Sequence, residues 1–244
     1  MTLELVDYIN GISSLIYVTI TIIVGMRIAL KYLKLGDKNF LYIGIAIMGL
    51  SEPWLPSGIS FLSNLIYERG LALEIYVIIG NIFIPVTLLL WLIGFANLII
   101  PDKKMLIGIT YGIIGILFEI IFFMFLIIDP SLIGTFSEES LVRIDIEYKA
   151  FNLLYLMLVV GTILITGMLF SQKSLKSKSP EIKFKGIFLL LAPLVWGIGA
   201  IFDSAIPLNL YTLPITRILL AFSAFFYYLG FIFPSGIKKY LSKK

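Results

Sequence analysis

The chain contains no cysteine and no histidine, and only 14% of its 244 residues are charged. Without cysteine there is no disulfide and no thiolate nucleophile. Without histidine there is no Ser/His/Asp or Cys/His triad, and without either there is no His/Cys zinc or haem site. No catalytic set, metal centre or cofactor is therefore expected, and the chain reads as a non-enzyme. The shortage of charge excludes an ordinary soluble domain, in which about a quarter of residues are charged and about half are apolar. Here 59% are hydrophobic and the mean hydropathy is +1.03. A polytopic membrane protein is the class those numbers leave.

A helix crossing a hydrocarbon core of about 30 Å needs about 20 apolar residues. Seven stretches qualify, at about 8–29, 40–62, 71–100, 105–128, 150–170, 186–206 and 213–233. The expected fold is all-α, a single domain over 1–244 forming a seven-transmembrane-helix bundle. The longest connections, 129–149 and 171–185, are too short to bury cores of their own. The residues leading into the first span carry Glu4 and Asp7 but no base, and no small-residue cleavage site follows, so this span is expected to be a retained helix rather than a signal peptide. Fifteen of the nineteen Lys and Arg fall on one side, Arg27 in the last turn of span 1 and the rest in the connections after spans 1, 3 and 5 and in the tail after span 7. That asymmetry predicts an outside N-terminus and a cytoplasmic C-terminus, in a multi-pass protein of the cell membrane. The net charge of +4 is then a basic fringe facing lipid phosphates, which makes membrane lipids expected partners and nucleic acid not.

An ionisable group inside a spanning helix costs about 2.5–3.5 kcal/mol on insertion scales, so each one is a functional candidate. At about 1.5 Å per residue, Glu52, Glu119 and Asp203 lie about 18, 21 and 25 Å from the Lys-rich side, and Arg217 enters span 7 from the opposite end. All four fall in the outer half, where Arg217 is expected to pair with an acid, Asp203 being nearest in sequence. Pro53 and Pro56 withhold the N–H groups that would bond the carbonyls of Gly49 and Glu52, so span 2 should kink or break there. Unpaired backbone at that depth is tolerated only beside protein or a watery cavity. Span 3 has Asn81 four residues before Pro85, and span 6 has Pro193 ahead of Trp196, Gly197 and Gly199. Glu52, Asn81, Trp91, Glu119, Trp196, Asp203 and Arg217 form the candidate ligand site, with Asn152, Tyr155, Tyr227 and Tyr228 as further wall candidates. Trp54 is expected in an interfacial aromatic belt, and Gly108 and Gly112 on a helix-packing face.

Span 7 contains no lysine, which excludes a retinal Schiff base, and Ile100-Pro101-Asp102-Lys103-Lys104 stands where G-protein-coupled receptors carry Asp-Arg-Tyr. The stretch Tyr76 to Asp102, with Gly80, Pro85, Leu88 to Leu90 and Phe95, then a basic turn, span 4 and an Asp129-Pro130 exit, resembles the seven-helix sensor region that precedes some prokaryotic histidine kinases. The likeness covers about a quarter of the chain and implies a signal-sensing bundle. No kinase domain follows in these residues and no histidine is present to accept a phosphoryl group. A sensor of this kind would need a cytoplasmic signalling partner docking on the Lys-rich 172–185 or on 235–244. Two readings stand: a receptor-like sensor binding a small molecule in an outward-facing polar pocket, and a small secondary transporter or proton-coupled carrier. The second is compatible with a three-plus-one-plus-three helix repeat, of which Val24-Gly25-Met26 against Thr166-Gly167-Met168 is one trace.

Overall fold

The computed structural model describes residues 3–136 and 142–233. Glu138, Glu139 and the basic tail 235–244 lie outside the described residues. Among the described residues the fold is all-α apart from one short hairpin. In order it forms α1 (Leu5–Ala29), α2 (Lys31–Leu35), α3 (Lys38–Gly49), α4 (Leu55–Tyr67), α5 (Leu73–Asn81), α6 (Ile84–Ile99) and α7 (Lys104–Ile128). Strands β1 (Gly134–Phe136) and β2 (Ile146–Tyr148) follow, then α8 (Ala150–Leu175), α9 (Pro180–Ala205) and α10 (Thr212–Phe231).

Among the described residues six helical segments are long and apolar enough to cross a membrane: Leu5–Leu35, Leu73–Ile99, Pro101–Ile128, Ala150–Leu175, Pro180–Ala205 and Thr212–Phe231. The seventh expected span, 40–62, differs. It is split into α3, of 12 residues, and α4, of 13, and neither reaches spanning length alone. The prolines explain the split. With no N–H on Pro53 or Pro56 the ladder stops, and a single 3₁₀ turn at Glu52–Trp54 joins the halves, Leu55 N–H bonding the Glu52 carbonyl. The third span breaks for the same reason, α5 ending at Asn81 and α6 resuming at Ile84 with Pro85 in its first turn. Pro193 is accommodated inside an unbroken α9 because Gly167 of α8 makes room, a Cβ there lying 2.6 Å from the proline ring.

The helices close a ring. α1 packs between α3–α4 and α10, α3 against α6, α6 against α7 and α8, α8 against α9, and α9 against α10. Glycine permits a close crossing of α1 and α3: a Cβ on Gly44 of α3 would lie 2.6 Å from the Gly25 carbonyl of α1. Large apolar side chains remain exposed around the outside, most densely on α7, where Ile113, Ile116, Ile120 and Ile127 are all more than half exposed. Such a continuous apolar exterior is what lipid requires and water penalises.

The described parts of the fourth connection, 129–136 and 142–149, fold back over one end of the ring. β1 and β2 pair antiparallel with Phe136 opposite Ile146, and Ile133, Val142 and Ile144 are buried. The helices bind its backbone directly: Asn64 Nδ2 donates to the Val142 carbonyl at 2.7 Å, Ser60 Oγ to the Arg143 carbonyl at 2.7 Å and Tyr76 OH to the Ile144 carbonyl at 2.9 Å. The described residues of this segment have no core of their own, Val142 and Ile144 packing with Phe61 of α4, and they form a lid over that end.

Candidate functional site

The polar interior is gathered at the lidded end in two adjoining groups. The first is built on the ion pair between Asp203 of α9 and Arg217 of α10. Arg217 is only 4% exposed and its Nη2 also donates to Asn10 Oδ1 of α1 at 3.0 Å. Asp203 accepts from Trp54 Nε1 at 2.7 Å and from Thr216 Oγ1 at 3.2 Å. One carboxylate thus ties together α9, α10 and the broken segment 2, while Arg217 adds α1.

The second group lies where the two broken spans meet. Interrupting the ladder at Pro85 leaves the Phe83 N–H facing outward from the start of α6, and Glu52 Oε1 accepts it at 2.7 Å. A carboxylate is favoured at a helix N-terminus by the unpaired donors and the helix dipole. Asn152 Nδ2 of α8 donates to Asn81 Oδ1 at 2.9 Å, and Asn81 Nδ2 reaches the Val77 carbonyl at 2.8 Å and Tyr148 OH at 3.3 Å. Glu119 of α7 is within electrostatic range of Glu52 and of Tyr155. Glu52 Oε2, both oxygens of Glu119 and Asn152 Oδ1 are buried and find no hydrogen-bond partner among the described residues. With the carboxyls ionised all four atoms are acceptors, and in that state the group presents an excess of acceptors over donors.

The lid connects the two groups. Burial under the end of the ring, reinforced by the Asp203 carboxylate and opposed by Arg217, pushes the Asp145 carboxyl up to about 6. Burial likewise raises the Tyr148 phenol above its ordinary value, with Asn81 opposing and Glu52 among the charges reinforcing it. Ser57 and Tyr76 share a 2.8 Å hydrogen bond beneath the same loop.

Of the seven candidate residues, the structure brings Glu52, Asn81 and Glu119 into one group and Asp203 and Arg217 into the other. Trp196 is buried in the hydrophobic core beside Tyr17, and the Tyr227 hydroxyl has no partner among the described residues. Trp91 is elsewhere, donating from Nε1 to Thr166 Oγ1 at 2.8 Å and packing edge-on against Tyr227. Trp54 is not in an interfacial belt: it is buried, stacked edge-on against Tyr17 and bonded to Asp203. It lies in the 3₁₀ turn that joins α3 and α4. Asn10, Tyr17, Asp145 and Tyr148 were not among the sequence candidates. Asn10 had a signal, an amide in an apolar span, whereas Asp145 and Tyr148 sit in a polar loop whose burial no local pattern announces.

These features define a multi-pass, all-α membrane protein with a lidded polar interior. The chain matches no protein-family model, no curated protein and no solved structure.

Proposed function

We propose that the protein is a seven-helix, receptor-like sensor of the cell membrane, with α3 and α4 together making the second crossing, the N-terminus outside and the C-terminus cytoplasmic. It binds a small ligand in the outer half, under the 129–149 lid, and signals to a cytoplasmic partner through the Lys-rich 172–185 and the tail. The observation that carries this reading is the buried set of unpaired acceptors on Glu52, Glu119 and Asn152, placed at the junction of two interrupted spans. A ligand rich in hydrogen-bond donors, such as a small amine, satisfies them. Binding there pulls on elements joined by single turns rather than by continuous helix, the kind of junction that absorbs a change of angle. The Lys and Arg asymmetry supports the orientation, and the resemblance of 76–102 to kinase-linked sensor bundles supports the signalling role.

The carrier reading draws on the same observation, because interrupted spans that hold a buried carboxylate also suit ion-coupled transport. Two measurements on the full chain separate them. A panel of small amines is screened for thermal stabilisation of the protein in detergent, and proton flux is followed with a pH-sensitive dye in proteoliposomes. The sensor reading expects a stabilising amine whose effect is lost in Glu119→Gln, without flux. Flux abolished by Glu52→Gln or Glu119→Gln overturns it in favour of the carrier.

A further inference from the structure

At the opposite, Lys-rich end, α7 and α8 part. Toward the lid they are held together by aromatic contacts, Phe118 stacking on Tyr155 with ring centroids 3.8 Å apart and Phe125 meeting Phe151 at 5.2 Å. The hydrogen bond between Tyr111 OH and Thr162 Oγ1, at 3.3 Å, is the bridge nearest the opening. Beyond it lies a crevice of about 550 Å³, floored by Leu92, Phe95 and Ile99 of α6 and walled by Ile107 of α7 and Leu169 of α8. A Cβ on Gly108, Gly112 or Gly161 would meet nothing within 4 Å, so these glycines face open space rather than the helix contact expected of the Gly108/Gly112 pair.

The charged side chains that line this apolar crevice are both cationic. Gln172 and Lys173 of α8, with Lys176 at the C-cap of that helix, stand at its mouth. Lys173 Nζ is held there by the Leu98 carbonyl at the end of α6, at 2.9 Å, which leaves further ammonium donors for an anion. An apolar slot opening between apolar, lipid-facing helices, with cations fixed at the depth where its chain would end, is complementary to an amphiphile with an anionic head. We propose that this crevice is a binding site for one anionic membrane phospholipid, its acyl chain between α7 and α8 and its phosphate on Lys173 and Lys176. The site is distinct from the polar interior under the lid, and it does not depend on what that interior binds.

The test is native mass spectrometry of the full chain with phosphatidylglycerol and phosphatidylcholine in competition. One phosphatidylglycerol is expected to be retained in preference to phosphatidylcholine. Each lysine near an anionic headgroup contributes a factor of about five, so Lys173→Gln/Lys176→Gln should weaken retention by about 25-fold. Lys176→Gln alone, at an exposed position, should give about fivefold without risk to the fold. Leu169→Trp, which fills the slot, should abolish retention, while Lys34→Gln/Lys38→Gln elsewhere in the basic fringe should leave it at wild-type strength. Equal retention of the two lipids overturns the proposal, as does wild-type retention in Leu169→Trp or equal loss in the fringe variant. Displacement by inorganic phosphate as effective as by lipid also overturns it, because the acyl chain would then contribute nothing.

Discussion

Replacing Arg217 by alanine is the sharpest test of how the lidded end is held together. The side chains of Arg217 and Asp203 are 4% and 16% exposed, so the pair is largely removed from solvent. In wild type the Asp203 carboxylate has three side-chain donors, Arg217, Trp54 and Thr216. Arg217→Ala leaves two neutral donors around a desolvated charge, and also strips Asn10 of the guanidinium it accepts from. Breaking one side of such a buried pair costs about 3–5 kcal/mol, against about 0–1 kcal/mol for a pair in water. At about 2–4 °C per kcal/mol for a chain of this size, Tm should fall by about 10 °C. The assay is thermal unfolding of the purified protein in detergent, followed by tryptophan fluorescence, to which Trp54 contributes directly as a donor to Asp203. Arg217→Met/Asp203→Leu, which removes both charges, should recover much of the loss. A fall in the single variant of no more than about 2 °C, the size set by a solvent-exposed pair, would refute the buried-pair account, and so would a double variant no more stable than the single.

Two further outcomes follow from the same end of the bundle. Glu52→Ala removes the side-chain acceptor bonded to the Phe83 N–H and should destabilise by about 1–3 kcal/mol, whereas Glu52→Gln keeps a carbonyl oxygen there and should be close to wild type in the same melting assay. Asp145 is pushed from 3.8 to about 6 in the folded protein, so protonation favours the docked lid: the stability it lends is fully present below about pH 3.8 and is lost as the pH rises through about 6. Asp145→Asn should therefore flatten the pH dependence of Tm across that window and leave the protein more stable than wild type at pH 7; an unchanged slope would show that Asp145 is not buried by the lid.

The amino-acid sequence by itself determined which segments are apolar enough to leave water, where proline must interrupt them and which ionisable residues share a depth. The break at Glu52–Trp54, the second interruption before Pro85 and the Asp203–Arg217 pair all follow from such local or one-dimensional quantities. Tertiary structure decided everything that depends on direction around a helix axis. In a membrane helix the lipid-facing and protein-facing sides are both apolar, so hydropathy does not say which way Trp91, Trp196 or Glu119 points. It likewise did not show that Trp54 turns inward, that Trp91 stands apart from the carboxylates, or that Gly108 and Gly112 face open space instead of a neighbour. The lid is the clearest case. Its residues are those of a solvated loop, and only the carbonyls of Val142, Arg143 and Ile144, captured by side chains from α4 and α5, turn it into the cover of a polar interior. A backbone carbonyl is the same group in every residue, so no pattern of side chains along the chain marks which ones a distant helix will bind.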